Sequence, residues 1–123
     1  MDFLQAEVKR ALQLPDFDGE AAQQKMVPRP RGIRPPEMTG RPRQGGVLVL
    51  LYRKDGVTHL VLTRRRDDLN SHAGQISFPG GRREGDELLE MTAVREAQEE
   101  LSVDPAALTH LGRLACLYIY PSD

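Results

Sequence analysis

A chain of 123 residues with 39% hydrophobic content is long enough for one domain with a modest core and leaves no room for a second. The formal net charge of −1 excludes a global attraction to nucleic acids or membrane surfaces, so a polyanion must bind through a local cluster. No apolar run approaches the length of a membrane span, and the acid-containing start is unlike a secretory signal. We therefore expect a cytoplasmic protein that binds neither nucleic acid nor membrane.

Residues 1–45 are expected to form an N-terminal helix and a Pro/Arg-rich arm. Apolar residues at helical spacing predict a helix from Met1 to Leu14, which Pro15 ends. From Pro15 to Gly45, prolines alternate with arginines without periodicity, which is typical of a linker or wrapped loop. The arginines are able to receive phosphates, but solvated arginines in an extended arm are the simpler interpretation.

The next segment predicts the start of a sheet. Val47 to Tyr52 is a continuous apolar run, and Val57 to Thr63 contains a second one. Lys54-Asp55-Gly56 between them is typical of a hairpin turn. We expect two antiparallel strands, the first buried on both faces. His59, in the second strand, is interpreted as an ordinary strand residue.

The stretch Gly80–Val103 reads as a glycine turn followed by one amphipathic helix that starts near Glu87. At about 100° per residue, its apolar side chains share one arc: Met91, Ala93, Val94, Ala97 and Leu101. Glu96, Glu99 and Glu100 occupy a separate arc, where like charges three and four residues apart disfavour a bare helix. A divalent cation would relieve this repulsion, and carboxylate oxygens are ligands that Mg²⁺ and Mn²⁺ prefer. The alternative is a solvated, charge-rich helix.

The same stretch resembles the Nudix box, G-x5-E-x7-R-E-U-x-E-E-x-G-U, in which U is apolar. Gly81, Glu87 and the run Arg95-Glu96-Ala97-Gln98-Glu99-Glu100 occupy its fixed positions. One position differs, because Ser102 stands where the box has a glycine that ends the helix in a left-handed conformation. Such an agreement favours the Nudix family over a solvated helix.

A narrower resemblance is to the coenzyme A diphosphatase branch of that family, whose signature is LLT-x-R-[SA]-x3-R-x3-G-x3-F-P-G-G. Val61-Leu62-Thr63-Arg64-Arg65, Gly74 and Phe78-Pro79-Gly80-Gly81 are similar to it, as is the segment His72 to Gln75. Arg66 replaces the usual serine or alanine, and Asn70 replaces an arginine whose charge it cannot supply. A Nudix protein of other specificity is therefore an open alternative.

The C-terminal part predicts a capped turn and a strand. Asp104 is a candidate cap with Pro105 at the first position of a short helical turn, and a strand is expected from Leu111 to Tyr120. Cys116, the single cysteine, lies in an apolar run and is expected to be a buried small hydrophobe. Because a Nudix fold continues with further strands and a second helix, residues 46–123 resemble an incomplete, C-terminally truncated Nudix domain. The resemblance implies an α/β fold, an α/β/α sandwich with a mixed sheet.

The resemblance also implies an activity and a site. The activity is metal-dependent hydrolysis of a nucleoside diphosphate linked to another moiety, with coenzyme A or a derivative as the leading substrate and 3′,5′-ADP and 4′-phosphopantetheine as products. The implied metal ligands, for Mg²⁺ or Mn²⁺, are Glu96, Glu99, Glu100 and the Gly80 carbonyl. The implied catalytic residues are Glu99 or Glu100 as general base and Arg95 as the group that orients Glu99. Gly81 and Glu87 are implied structural residues of the motif, and Arg65, His72 and Gln75 are candidates for substrate binding.

Two alternatives stay open at this stage. One is a Nudix-like module that binds a nucleotide-containing ligand without hydrolysing it, although such modules usually lose glutamates of the box and here all are present. The other is hydrolysis of ADP-ribose, a dinucleoside polyphosphate or an oxidised nucleotide, which the Asn70 departure leaves open. A homodimer is the default assembly for a small enzyme.

Overall fold

The computed structural model describes residues 3–26, 40–66 and 74–118. The chain divides into two compact units, one made of Met1–Pro42 with Thr109–Asp123 and the other of Arg43–Leu108. Helices and short strands are both present in the described part, so the expected α/β class is confirmed.

The elements follow one another in a simple order along the described chain. The helices are α1 Phe3–Leu12, α2 Gly19–Gln24 and α3 Leu89–Leu101, followed by a short 3₁₀ helix at Pro105–Ala107. The strands are β1 Gly45–Val47, β2 Leu51–Lys54, β3 Val57–Leu60, β4 Thr63–Arg64, β5 Ile76–Ser77 and β6 Gly80–Arg82.

The first unit contains α1, the predicted N-terminal helix, and α2, which the sequence did not predict. Helix α2 lies within the stretch interpreted as a linker, and its start is fixed by Asp18, whose carboxylate accepts a hydrogen bond from the Ala21 amide at 2.9 Å. This is an ordinary N-cap, and the Asp-Gly-Glu sequence was the available signal. The remainder of the arm, residues 27–39, lies outside the described residues.

The C-terminal segment of this unit corrects two expectations. Residues 111–118 form no strand, although one was predicted from Leu111 to Tyr120, whose last two residues lie outside the described range. The segment packs on the helices instead, because the Gln23 amide donates to the Ala115 carbonyl at 2.6 Å and Gly112 lies against Leu12. Cys116 is exposed, not buried.

The second unit contains three two-stranded ladders, β1 with β6, β2 with β3 and β4 with β5. All three are antiparallel among the described residues. The apolar run from Val47 to Tyr52 therefore does not form the single strand that was predicted. It divides at residues 48–50, so that its start pairs with Gly80–Arg82 and its end pairs with Val57–Leu60.

The expected burial of this run on both faces is wrong for the described part of the chain. Val47 is 61% exposed, and Leu51 and Tyr52 are exposed as well. The reason is that the run changes partners midway, so its side chains are not sandwiched between two layers of one continuous sheet. The predicted hairpin is confirmed, since Asp55 and Gly56 form a two-residue turn with both φ angles positive.

The core of the second unit lies where α3 packs on β1 and β6. Ala93 and Ala97 are buried as expected, and so is Thr92, which was not placed on the apolar arc. Met91 and Leu101, which were placed there, are exposed. Only a narrow face of the helix is buried, because the helix packs directly against the backbone of β1. A Cβ at Gly46 would collide with the Leu89 carbonyl.

Candidate functional site

Helix α3 carries the three glutamates, and neither of its ends has the residue type that usually caps a helix. It begins at Leu89, two residues later than predicted, and Leu88 at the N-cap makes no side-chain cap hydrogen bond. At the other end Ser102 has φ +56° and its amide donates to the Gln98 carbonyl at 3.0 Å. The serine thus adopts the left-handed conformation for which the Nudix box uses glycine, and the helix terminates at the same position.

Glu87 lies in the loop before the helix and receives a dense set of hydrogen bonds. Its Oε1 accepts from the Glu84 amide at 2.9 Å, from the Thr92 hydroxyl at 2.8 Å and from Arg95 Nη2 at 2.8 Å. These bonds favour the ionised carboxylate, and the Arg95 bond is the largest cause that lowers the pKa of Glu87 to about 2. The ionised carboxylate of Glu87 therefore connects the loop before α3 to the helix itself.

Arg95 is the centre of the charge network. Its Nη1 donates to Glu96 Oε1 at 3.0 Å and to Glu99 Oε1 at 3.4 Å, and its Nη2 also donates to the Arg82 carbonyl at 3.0 Å. The bond to Glu87 is the main reason that the pKa of Arg95 is raised. One planar guanidinium therefore joins the loop, β6 and two glutamates, an arrangement for which a lysine has too few donors in fixed positions.

Gly81 leaves the space that the Glu96 carboxylate occupies. A Cβ built on Gly81 would lie 2.5 Å from Glu96 Cδ and 2.6 Å from its Oε1. Such distances are shorter than real van der Waals contacts, so any side chain at Gly81 would displace the carboxylate. The glycine of the motif is thus explained by close approach at this position and not by a positive φ.

Glu100 differs from the other two glutamates in its surroundings. Partial burial, and next the negative charge of Glu96, raise the pKa of Glu100. Hydrogen bonding to the Gly80 backbone and the positive charge of Arg65 act in the opposite direction. Arg65 therefore lies within electrostatic range of Glu100, although it is distant from it in the sequence.

The three carboxylates do not converge on one point in this structure. No three His, Cys, Asp or Glu side chains among the described residues are arranged to hold a metal ion. The contacts explain this, because Glu96 and Glu99 are directed towards Arg95 while Glu100 meets the Gly80 backbone.

The donor set nevertheless fits Mg²⁺ or Mn²⁺. All three candidate ligands are carboxylates on one helix, and Glu99 and Glu100 are exposed, so their side chains are able to rotate. Burial is the largest cause of the raised pKa of Glu100, and the nearby negative charges of Glu96 and Glu99 add to it. A divalent cation would be stabilised there.

Two of the three candidates for substrate binding lie side by side. The Arg65 amide donates to the Gln75 carbonyl at 2.9 Å and the Arg65 carbonyl accepts from Gly74 at 3.1 Å, which extends the β4–β5 ladder. The third candidate, His72, lies outside the described residues.

Two residues of this site were missed from the sequence. Thr92 is 0% exposed and bonds Glu87, and Gly46 lets β1 approach α3. The position of Thr92 could have been predicted from helical spacing. Thr92 lies one helical turn after Leu88, and so on the side of the helix next to Glu87. The position of Gly46 could not, because its contact is with a helix more than 40 residues away.

Comparison with known families identifies the loop and helix. The NUDIX domain model matches residues 42–123, more than half of the chain. This chain belongs to the Nudix family. The loop and helix from Gly81 to Val103 are its Nudix box, with Ser102 as the one departure.

Curated relatives agree with this assignment. The chain is 47% identical over 77 residues to the "Uncharacterized Nudix hydrolase NudL" of Yersinia pestis (strain Pestoides F), covering 61% of this chain and 38% of the relative. The NudL protein of Yersinia pseudotuberculosis serotype O:1b matches to the same extent. The chain is 41% identical over 68 residues to "Nudix hydrolase 15, mitochondrial" of Arabidopsis thaliana, covering 54% of this chain and 24% of the relative.

The matched part of the chain thus spans 24% to 38% of the length of these relatives. In the described part of the chain, no helix has both the length and the apolar character that crossing a membrane requires.

Proposed function

We propose that this Nudix protein hydrolyses the diphosphate bond of a nucleoside diphosphate linked to another moiety. The observation that carries the proposal is the contact of one guanidinium, Arg95, with Glu87, Glu96 and Glu99. A solvated helix has no need of such a network, whereas hydrolysis of a diphosphate requires carboxylates held in fixed positions. The names of the relatives, which are Nudix hydrolases, support the same reaction class.

The proposed metal is Mg²⁺ or Mn²⁺, held by Glu96, Glu99 and Glu100 with help from the Gly80 carbonyl. When bound, it would neutralise charge on the diphosphate oxygens. Arg95 holds Glu96 and Glu99 on one side of the helix through its Nη1. One of the two exposed glutamates, Glu99 or Glu100, serves instead of ligation as the general base that accepts the proton of the attacking water.

The proposed substrate is coenzyme A or a derivative, with 3′,5′-ADP and 4′-phosphopantetheine as products. The support is the likeness of Val61–Arg65, Gly74 and Phe78–Gly81 to the coenzyme A diphosphatase signature. Arg65 adds to it, because its charge acts on Glu100 and so lies near the reacting centre. A guanidinium there is able to bind substrate phosphate, with Gln75 beside it and His72 as a further candidate.

A second substrate class is favoured by one sequence feature. Asn70 stands where the coenzyme A signature has an arginine, so one cationic phosphate contact is missing. ADP-ribose or a dinucleoside polyphosphate is therefore the alternative substrate. We also propose that the protein is located in the cytoplasm, although the relative from Arabidopsis thaliana is named as mitochondrial.

Product analysis tests the proposal. The full-length protein is incubated with coenzyme A, ADP-ribose and a dinucleoside polyphosphate, with and without Mg²⁺ or Mn²⁺, in ¹⁸O-labelled water, and products are identified by chromatography with mass detection. We expect metal-dependent formation of 3′,5′-ADP from coenzyme A, with one ¹⁸O atom in one of the two products. Turnover of another substrate alone would discard the coenzyme A assignment. Metal binding without any turnover would indicate a binding module.

A further inference from the structure

Thr92 is a buried polar residue in the first turns of α3. It is 0% exposed, and its hydroxyl donates to Glu87 Oε1 at 2.8 Å. The Leu88 carbonyl is also near the hydroxyl, but at 3.4 Å. A hydroxyl carries a single proton, so the shorter bond to an ionised carboxylate takes it. The side chain that fills this part of the core therefore also binds a charged group.

The bond from Thr92 completes the fixation of the Glu87 carboxylate. Oε1 receives Thr92 from the helix, the Glu84 amide from the loop and Arg95 Nη2 from the next helical turn. Oε2 receives Arg95 Nε at 3.3 Å. The Glu84 amide and the Thr92 hydroxyl therefore help to set the orientation of the carboxylate that pairs with Arg95. Without the hydroxyl, Glu87 keeps its bonds to Glu84 and Arg95 but loses the buried donor that holds Oε1.

The fixed carboxylate in turn sets the guanidinium. Arg95 bonds Glu87 through Nε and Nη2, which leaves Nη1 directed at Glu96 Oε1 and Glu99 Oε1. Because the guanidinium is planar, its orientation at Glu87 determines where Nη1 points. A rotation of the Glu87 carboxylate therefore moves the donor shared by two of the glutamates.

We propose that Thr92 is a positioning residue for the carboxylate cluster, acting from the core through Glu87 and Arg95 on Glu96 and Glu99. Its effect on cation binding rests on the proposed metal ligands, and its effect on turnover rests also on the proposed hydrolysis. The hydrogen bonds of the Thr92 hydroxyl go to Glu87 and the Leu88 carbonyl, and its side chain is shielded from solvent. Its influence is consequently expected on turnover and on metal affinity and not on the KM for the nucleotide.

The competing explanation is that Thr92 only fills space under the helix. Thr92→Val separates the two, because valine keeps the shape and removes the hydroxyl. Thr92→Ser and Thr92→Ala form a second pair that differ from each other by the hydroxyl alone, which keeps the test valid if the valine variant does not fold. Thr58→Val, at an exposed threonine of the hairpin, is the matched control.

The experiment measures, for each variant of the full-length protein, Mn²⁺ affinity by the spin-resonance signal of free Mn²⁺, kcat and KM with the nucleotide substrate, and the thermal unfolding midpoint. For Thr92→Val and Thr92→Ala we expect kcat and Mn²⁺ affinity to fall by about 10-fold to 100-fold, as for residues that orient metal ligands, with KM nearly unchanged. Thr92→Ser and Thr58→Val are expected to stay close to wild type.

Each outcome decides. Wild-type kcat and Mn²⁺ affinity in Thr92→Val or Thr92→Ala, or a serine variant as impaired as the alanine variant, would overturn the positioning role and leave the proposed function intact. If the wild-type protein binds Mn²⁺ but hydrolyses no nucleotide, the proposed function fails, and the Mn²⁺ affinities of the serine and alanine variants still test Thr92. If the wild type binds no Mn²⁺, both are overturned.

Discussion

The Nudix box from Gly81 to Val103 and the hairpin β2–β3 were both recognisable in the sequence. They are stabilised differently, the first by side-chain contacts and burial and the second by its turn. In the loop and helix, one arginine contacts side chains and backbone from three segments, and Thr92, Ala93 and Ala97 are buried. In the hairpin nearly every residue is exposed, and two turn residues with positive φ set its register. Substitutions in the first region should therefore alter function, whereas those in the second should alter only local stability.

The largest effect is expected at Glu99. Glu99→Gln keeps the size of the side chain and removes its charge, so the Arg95 contact weakens and a ligand or base is lost. We expect kcat to fall on the order of 10³-fold, within the range for loss of a general base, with unchanged unfolding. The measurement is steady-state hydrolysis of the substrate found by product analysis.

Glu90→Gln is the matched control for Glu99→Gln, since Glu90 lies on the same helix, in its first turn and outside the carboxylate cluster. It should hydrolyse at the wild-type rate. Turnover of Glu99→Gln at the rate of this control would remove Glu99 from the proposed site.

Gly81→Ala should have the next largest effect. The new Cβ would lie 2.5 Å from Glu96 Cδ, so the carboxylate must move or the loop must shift. A displacement near 1 Å at a reacting centre costs about 10²-fold, which is the loss of turnover we expect.

The hairpin supplies the comparison for Gly81. Gly56→Asn also adds a side chain to a glycine, but nothing lies within 4 Å of a Cβ there, and asparagine tolerates the positive φ of +76°. Its turnover should equal that of wild type. Equal losses in the two glycine variants would indicate that Gly81 acts through chain flexibility and not through the space it leaves for Glu96.

Glu87→Gln should alter the pH dependence of stability. In the folded protein the pKa of Glu87 is lowered from 4.5 to about 2, chiefly by its hydrogen bond to Arg95. A lowered pKa stabilises the fold fully above the unfolded value, and this contribution is lost as the pH falls from about 4.5 towards 2.

The variant should therefore unfold at a lower temperature than wild type at pH 7, and the difference should shrink below pH 4.5. Thermal unfolding followed by circular dichroism across pH 2 to 7 measures it. A difference that stays constant over the whole range would show that the ionised carboxylate is not what stabilises the loop.

The smallest effect is expected in the hairpin turn. Gly56→Ala forces a side chain into φ +76°, which costs about 1 kcal/mol for an L-residue. Urea unfolding should show this loss, while kcat stays unchanged. A change in kcat would mean that the hairpin communicates with the carboxylates, contrary to the comparison of the two regions.

Much of this molecule followed from short-range patterns. The turn at Asp55-Gly56, the N-terminal helix and the helix that carries Glu96, Glu99 and Glu100 were all predicted, because turn chemistry and helical spacing involve residues close together in the chain. The contact of Arg95 with Glu99 belongs to the same class, since the two are four residues apart. Helix α2 was not predicted, although Asp18 is a residue type that commonly caps a helix N-terminus.

Only the tertiary structure decided which distant segments meet. The pairing of Val47 with Gly80 divides an apolar run that the sequence presented as one strand, and the approach of Gly46 to Leu89 selects the narrow face of α3 that is buried. The amino-acid sequence by itself determined the family, the helix and the carboxylate pattern. Burial of Thr92 beneath Glu87 and the closeness of Arg65 to Glu100 depend on contacts between segments, which no local pattern encodes because backbone pairing and packing are set by the whole chain.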